Sequence, residues 1–310
     1  MVSEIDSEDH ARISSADGSV TAQIDIVGAR LLQLAVGGST LVESTRSGRP
    51  LGAAGALLLP WPNRVRDGRW MLGSEAQQLE ISDPSTHNAN HGLVLARRFD
   101  LHELGQDSIT LGLRLADEPG YPFCLDVVVC YSLEKAGVAA RLDITNRSSM
   151  PAPVAVGFHP YLRVGDVDPA HLVVTVPAAE IIDLDDRYLP IGRRRVGGSD
   201  DLRAGVLGSL VPWHASFGGL ASTPSGRMEM SLSHDTDAGR RKTTVWADEA
   251  FGYAQLYVDR VGGNTSIALE PMTAPPDALR SGHGLHWLGP AATWTLEWGV
   301  IATTEAVASS

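Results

Sequence analysis

The sequence predicts an all-β protein, a large antiparallel β-sandwich, and three observations lead there. Apolar and polar residues alternate strictly over many short segments, which is the period of half-buried strands. Helical periodicity is almost absent. Turn formers are frequent, with 32 glycines and 18 prolines among 310 residues, as a chain of many short strands requires.

Taken in order, Val20, Ala22, Ile24 and Ile26 form the first alternating set. Ile109, Leu111, Leu113 and Leu115 form the second, and Phe123 through Leu133 the third. After a turn at Lys135 to Gly137, Val138, Ala140, Leu142 and Ile144 continue the period. Met228, Met230 and Leu232 follow, and Trp294, Leu296, Trp298 and Val300 close the series. Strands that succeed one another in this way favour antiparallel sheets packed face to face. The one helical signal, Asp277 to Leu288, follows Pro275-Pro276 and is interrupted by two glycines, so it predicts a turn or two at most. No break in composition divides the chain. One domain over residues 1–310 is expected, with frayed ends near 1–8 and 305–310.

Composition narrows the partners. The formal net charge of −12 opposes binding to nucleic acid or to anionic lipid. A neutral small molecule is the natural ligand, and a monomer or homodimer is expected. Cys124 and Cys130 lie six residues apart in one predicted strand, about 20 Å, too far for a disulfide. Free thiols fit a reducing compartment. The first fifteen residues lack the basic and apolar regions of a signal peptide, and no apolar run reaches the length of a membrane span. A cytoplasmic protein is expected.

Four segments are not explained by strand packing. Pro60-Trp61-Pro62-Asn63-Arg64 is stiffened by two prolines, so it presents Asn63 and Arg64 in fixed directions suited to sugar hydroxyls. An ordinary polar turn is the plainer alternative. In His87-Asn88-Ala89-Asn90-His91-Gly92, the glycine permits close backbone approach to a ligand. His87 and His91 have the spacing of a helical metal pair, but the intervening residues favour a loop, so no metal is expected. Val154 to Tyr161 reads as a strand that ends at His159, where Pro160 stops the ladder. A histidine there suits acid–base work or simple packing at a sheet edge. In Thr265 to Pro271, Ser266, Ala268 and Glu270 share a face of small residues that leaves room for a ligand below the carboxylate. Pro271 is expected to end that strand directly after Glu270. A solvated glutamate is the alternative.

In order and spacing, Asn63-Arg64 with Gly68, His91-Gly92, His159-Pro160-Tyr161 and Glu270-Pro271-Met272-Thr273 resemble the aldose 1-epimerase (galactose mutarotase) family. The resemblance runs from about residue 20 to about residue 300, and the last motif resembles the bacterial mutarotase-related branch. It implies a twisted antiparallel supersandwich with a sugar cleft across one sheet. It further implies that Glu270 takes the proton of the C1 hydroxyl and that His159 protonates the ring oxygen. Asn63, Arg64 and His91 would bind the sugar, and Gln255 resembles a binding glutamine of the family. Trp213-His214-Ala215-Ser216-Phe217 places His214 where the family often carries a hydroxyl-binding aspartate.

The reaction so implied needs no cofactor. A carboxylate base and an imidazolium acid suffice to open and reclose a cyclic hemiacetal, and an anionic Glu270 is expected to raise the pKa of His159. Other readings remain open. A sugar phosphate would call on Arg97-Arg98 or Arg193-Arg194-Arg195. A non-catalytic carbohydrate-binding protein would stack sugars on Trp61, Trp70 or Trp213. A glycosidase would need a second working carboxylate, and only Glu270 is a convincing candidate.

Overall fold

The computed structural model describes residues 4–5, 9–261 and 264–306. Two large antiparallel sheets carry the fold, one of thirteen strands and one of nine. The nine-stranded sheet holds the segments with the cleanest alternation. Leu125–Glu134 pairs with Gly137–Asn146 across the expected turn, and Gly137–Asn146 pairs with Thr293–Glu305. Burial alternates residue by residue along Leu125–Glu134, as a strand with one solvated face must.

The thirteen-stranded sheet begins with the meander of His10–Ser14, Val20–Asp25, Arg30–Val36 and Ser39–Glu43. It then passes through Tyr161–Leu162 to Asn264–Met272, Tyr253–Val261 and His214–Leu220. The principal core lies between the two sheets and draws residues from Ala11 to Val300. Phe158 from one sheet stacks on Trp298 from the other at 4.4 Å between centroids. Tyr131 crosses the layer and donates its hydroxyl to the Ala29 carbonyl at 2.8 Å.

The helical signal yields a single turn, Ala278–Ser281. Cys124 and Cys130 are free. Of the ends expected to fray, residues 1–3, 6–8 and 307–310 lie outside the described residues. Glu4–Ile5 pairs with the strand that starts at His10, and Glu305 pairs with Arg240. Among the described residues, no helix is long and apolar enough to cross a membrane.

Pro271 does not end its strand. Asn264–Met272 continues past it, with Pro271 opposite Ala254 and Met272 opposite Tyr253. The N–H groups of Leu269 and Thr273 point away from Tyr253–Val261, to the carbonyls of Pro160 and Val156. By alternation the Pro271 nitrogen points the same way, toward the gap between Gly157–Phe158 and Tyr161–Leu162. A proline is tolerated there because the neighbouring strand is interrupted at His159-Pro160 and loses little pairing.

Candidate active site

Strand register builds the floor of a cleft of about 540 Å³ on the outer face of the thirteen-stranded sheet. Glu270 stands opposite Gln255, and Gln255 opposite Ser216. Two residues along, Tyr257 stands opposite both Ala268 and His214. Alternation therefore puts Glu270, Gln255, Tyr257 and His214 on one face. The small residues of Asn264–Met272 serve a different end from the one expected. Ala268 is covered by Tyr161, Leu51 and Ala54, and the Ser266 hydroxyl donates to Glu43 at 3.1 Å. Their size makes room for Tyr161, and the ligand space lies above Glu270 instead.

His159 enters from the interrupted neighbour strand. Its N–H donates to the Ala56 carbonyl at 3.1 Å, and its own carbonyl accepts from Gly55 at 2.8 Å, so the backbone is clamped on both sides. Its Nε2 lies 3.3 Å from Oε1 of Glu270, and both side chains are almost wholly buried. Glu270 Oε2 and His159 Nδ1 are buried without a hydrogen-bond partner in the protein. At the wall of a cleft, such atoms are free to bond a polar ligand.

Burial sets the protonation of this pair. It lowers the His159 pKa to about 4. It raises that of Glu270 well above the carboxylate range, with Arg64 pulling back the other way. The expectation that an anionic Glu270 would hold His159 charged is thus reversed in the free cleft. At 3.3 Å the two groups could form an ion pair, but removing both charges from water favours the neutral acid beside the neutral imidazole. The proton count is the same in either form.

Two loops close the cleft on the side of His159. Asn63 and His91 both adopt left-handed backbone conformations, with φ of 57° and 63°, a state that asparagine and histidine tolerate better than most residues. They hold each other: the His91 N–H donates to the Asn63 carbonyl at 2.9 Å, and the Asn63 N–H donates to His91 Nδ1 at 3.2 Å. Burial, with the nearby His159 and Arg64, drives the His91 pKa well down. The neutral ring therefore accepts at Nδ1 and carries its proton on Nε2. Gly92 is required for a reason other than ligand approach. With φ at 77°, a Cβ there would lie 2.0 Å from the Leu59 carbonyl oxygen.

Arg64 is fixed by residues that carry no signal near it in the sequence. Its Nε donates to Asp83 at 3.1 Å, and its guanidinium lies 4.6 Å over the Tyr188 ring. Against the cost of burial, hydrogen bonds from Ser85 and Thr86 and the charge of Arg64 bring Asp83 down to about 2. Gln255 lines the cleft, but its Oε1 accepts from Asn63 at 3.1 Å and from Ser216 at 2.5 Å. It serves first as the post that orients Asn63. His214 lines the cleft too, with its pKa lowered to about 4 by burial and then by Arg64.

All seven sequence-predicted residues thus meet in one cleft. Sequence reading missed Tyr161, Tyr188, Tyr257, Asn90 and the Arg49–Asp259 ion pair, which also line it. Parity with Gln255 would have found Tyr257 and Asp259. Other candidates fall elsewhere. Arg97, Arg98, Arg193 and Arg194 pair with Glu118, Asp9, Glu180 and Asp183, and no residue of either arginine run lines the cleft. Trp61 and Trp70 are core residues, and only Trp213 of the three tryptophans reaches the cleft. His87 sits against Asp67 at 3.3 Å, away from the cleft. Among the described residues, no cluster of three or more His, Cys, Asp or Glu side chains could hold a metal ion.

Comparison with known proteins shows the family and the fold. The sequence profile of the family described as aldose 1-epimerase matches residues 11–204. The uncharacterized protein YihR of Escherichia coli is 30% identical over 272 residues, covering 87% of this chain and 86% of that one. A galactose mutarotase-like protein from Clostridium acetobutylicum superposes with a TM-score of 0.84 at 18% identity, over 98% of both chains. Galactose 1-epimerase from Lactobacillus acidophilus superposes with a TM-score of 0.75 at 18% identity, over 97% of this chain and 96% of that one. These structures share the fold, and the profile and the E. coli relative extend the likeness to sequence: the chain belongs to the aldose 1-epimerase family.

Proposed function

We propose that the protein interconverts the α and β anomers of a free aldose by acid–base ring opening and reclosure. The observation that carries this reading is the Glu270–His159 pair, 3.3 Å apart and buried at the bottom of a polar cleft.

In the reactive form Glu270 is a carboxylate and His159 an imidazolium. Glu270 takes the proton from O1, and His159 gives one to the ring oxygen. The C1–O5 bond breaks, its electron pair goes to O5, and C1 and O1 become an aldehyde. Rotation about C1–C2 presents the other carbonyl face. O5 then attacks C1, and both protons return. Each positioned group contributes about 10²–10⁴-fold in rate.

The protonation of the pair follows the reaction. A closed ring goes with the charged pair, and the open aldehyde goes with the neutral pair. Burial favours the neutral pair, so it lowers the cost of the open form relative to water. Arg64 favours the carboxylate, which keeps the charged form within reach. Arg64, Asn63 and the Nε2–H of His91 supply donors to substrate oxygens. His214 meets the hydroxyls at the far end of the ring.

Polarimetry on freshly dissolved α-anomers of several aldoses and one aldose 6-phosphate tests the proposal. At least one neutral aldose is expected to relax to its equilibrium rotation at a rate proportional to protein concentration. Sugar binding by calorimetry without any such acceleration would make the protein a carbohydrate-binding one instead. Acceleration confined to the phosphate would move the substrate class.

A further inference from the structure

Arg64 rides on a ribbon that belongs to neither large sheet. Arg64–Arg66 pairs with Asn88–Asn90 in a separate two-stranded sheet. Two strands alone are marginal, so the ribbon needs anchors from elsewhere. Asp277 supplies one: its Oδ1 accepts from the Arg66 N–H at 2.9 Å, and its own N–H donates to the Arg64 carbonyl at 2.7 Å. These bonds fix the backbone. The long side chain of Arg64 is placed chiefly by Asp83 and Tyr188.

Neither of those two stands alone. Tyr188 has φ of 59°, a state that a bulky residue keeps only when its surroundings hold it there. It lies in the turn between Ala178–Leu184 and Pro190–Arg195. The residue before it ties that turn to the ribbon. Arg187 donates from Nε to the Thr86 carbonyl at 2.9 Å. Its Nη2 donates to Asp67 Oδ1 at 2.7 Å, to the His87 carbonyl at 2.8 Å and to Asn88 Oδ1 at 3.0 Å. In return, the Arg187 carbonyl accepts from Asn88 Nδ2 at 3.1 Å. The same contacts reach Asp83. Asn88 Nδ2 also donates to the Thr86 hydroxyl at 3.0 Å, and that hydroxyl donates to Asp83 Oδ2 at 2.6 Å. Oδ2 is the atom that accepts from Arg64 Nε. Arg187 thus adjoins both groups that place Arg64: Tyr188 through the chain, and Asp83 through Thr86 and Asn88. It does not line the cleft itself. A planar guanidinium serves acceptors in several fixed directions, which a lysine ammonium does not reproduce.

We propose that Arg187 is a positioning residue for the reaction, which keeps Asp83 and Tyr188 aligned with each other and so holds Arg64 in place in the cleft. The role of Arg64 in the reaction rests on the anomer-exchange reading. The way Arg64 is held does not.

The test uses Arg187→Ala and Arg187→Lys, each alone and combined with Arg64→Ala. Asp277 and the Arg66–Asp185 pair at 3.5 Å remain in every variant, so the ribbon is expected to stay docked. Nuclear magnetic resonance on protein labelled with ¹⁵N-arginine reads Arg64 directly through its Nε–H signal, assigned by the loss of that signal in Arg64→Ala. The signal should exchange slowly with solvent in the natural protein, be lost to exchange in Arg187→Ala, and be partly kept in Arg187→Lys. By polarimetry on glucose and galactose, kcat/KM should fall by about ten- to a hundredfold in Arg187→Ala, less in Arg187→Lys, and no further when Arg64 is already alanine. An Arg64 signal or a kcat/KM unchanged in Arg187→Ala overturns the assignment, as does an equal fall in the Arg64→Ala background. Failure of the anomer-exchange reading has a different signature, the absence of turnover with either sugar in the natural protein, and the Arg64 signal then still decides whether Arg187 holds Arg64.

Discussion

The strands Leu125–Glu134 and Asn264–Met272 lie in facing sheets and follow different burial rules. The first alternates between core and solvent, and its apolar residues do nothing but pack. The second is buried on both faces from Thr265 to Met272. Ile267 and Leu269 point into the core, while the other face carries Glu270, which has no solvation and one unpartnered oxygen. One sheet is built for stability alone. The other holds a buried ionisable group at a cost of several kcal/mol. The contrast teaches where to look in such folds: at the strand whose outward face is buried yet polar.

The sharpest way to break the contrast is Glu270→Gln. Activity in polarimetry should fall by about 10²–10⁴-fold, while the folded protein becomes more stable. Glu270 has its pKa raised by burial, so its contribution to stability is present below the ordinary carboxylate value and is lost as pH rises toward the folded value. The stability gained by the glutamine variant should therefore grow with pH in thermal melts. A variant that is inactive and equally destabilised at every pH would mean that Glu270 is structural.

The opposite experiment is Leu142→Ala, in the core of the other sheet and fully buried. A loss of about 2–5 kcal/mol in denaturant unfolding is expected, with kcat of the folded protein unchanged. A drop in kcat would show that the nine-stranded sheet does more than support.

The pH dependence of stability sharpens the comparison further. His214, held down at about 4, contributes stability that is present above its ordinary value near 6.5 and is lost as pH falls to about 4. His159 and Glu270 offset each other between about pH 4.5 and 6.5, because the folded pair and the unfolded pair then hold the same number of protons. Acid melts should show about 3 kcal/mol at most of His214-dependent loss in that window, absent in His214→Gln. The acid limb of kcat/KM should lie nearer pH 4 than 6.5, since His159 takes its extra proton only there.

The smallest effect concerns His214→Asp. An imidazole can donate to a hydroxyl, and a carboxylate only accepts. The relative kcat/KM among aldoses differing at one hydroxyl should shift by about tenfold or more. A uniform change across the aldoses would remove His214 from recognition.

Much of this was legible in the sequence, for physical reasons. Alternation reports burial directly, so the strands of the nine-stranded sheet read cleanly. His159 and Glu270 stand out because each precedes a proline at an irregular point in a strand. Pro271 reads as a strand end in the sequence, since the tolerance for it comes from a gap in a neighbour more than a hundred residues away. Asp83 and Tyr188 carry no local signal at all. They hold Arg64 only because the fold brings together loops 19 and 124 residues distant from it. The protonation of the Glu270–His159 pair escapes the sequence for the same reason, because depth of burial is a property of the whole fold.

Gly92 has a consequence for the alignment of the cleft wall. Its backbone lies against the Leu59 carbonyl with no space for a Cβ, and the Leu93 N–H donates to that same oxygen at 2.7 Å. The two segments that carry Asn63 and His91 are thereby packed backbone to backbone. Any larger residue at position 92 has to push them apart, and the mutual hydrogen bonds of Asn63 and His91 are the first contacts that such a shift breaks.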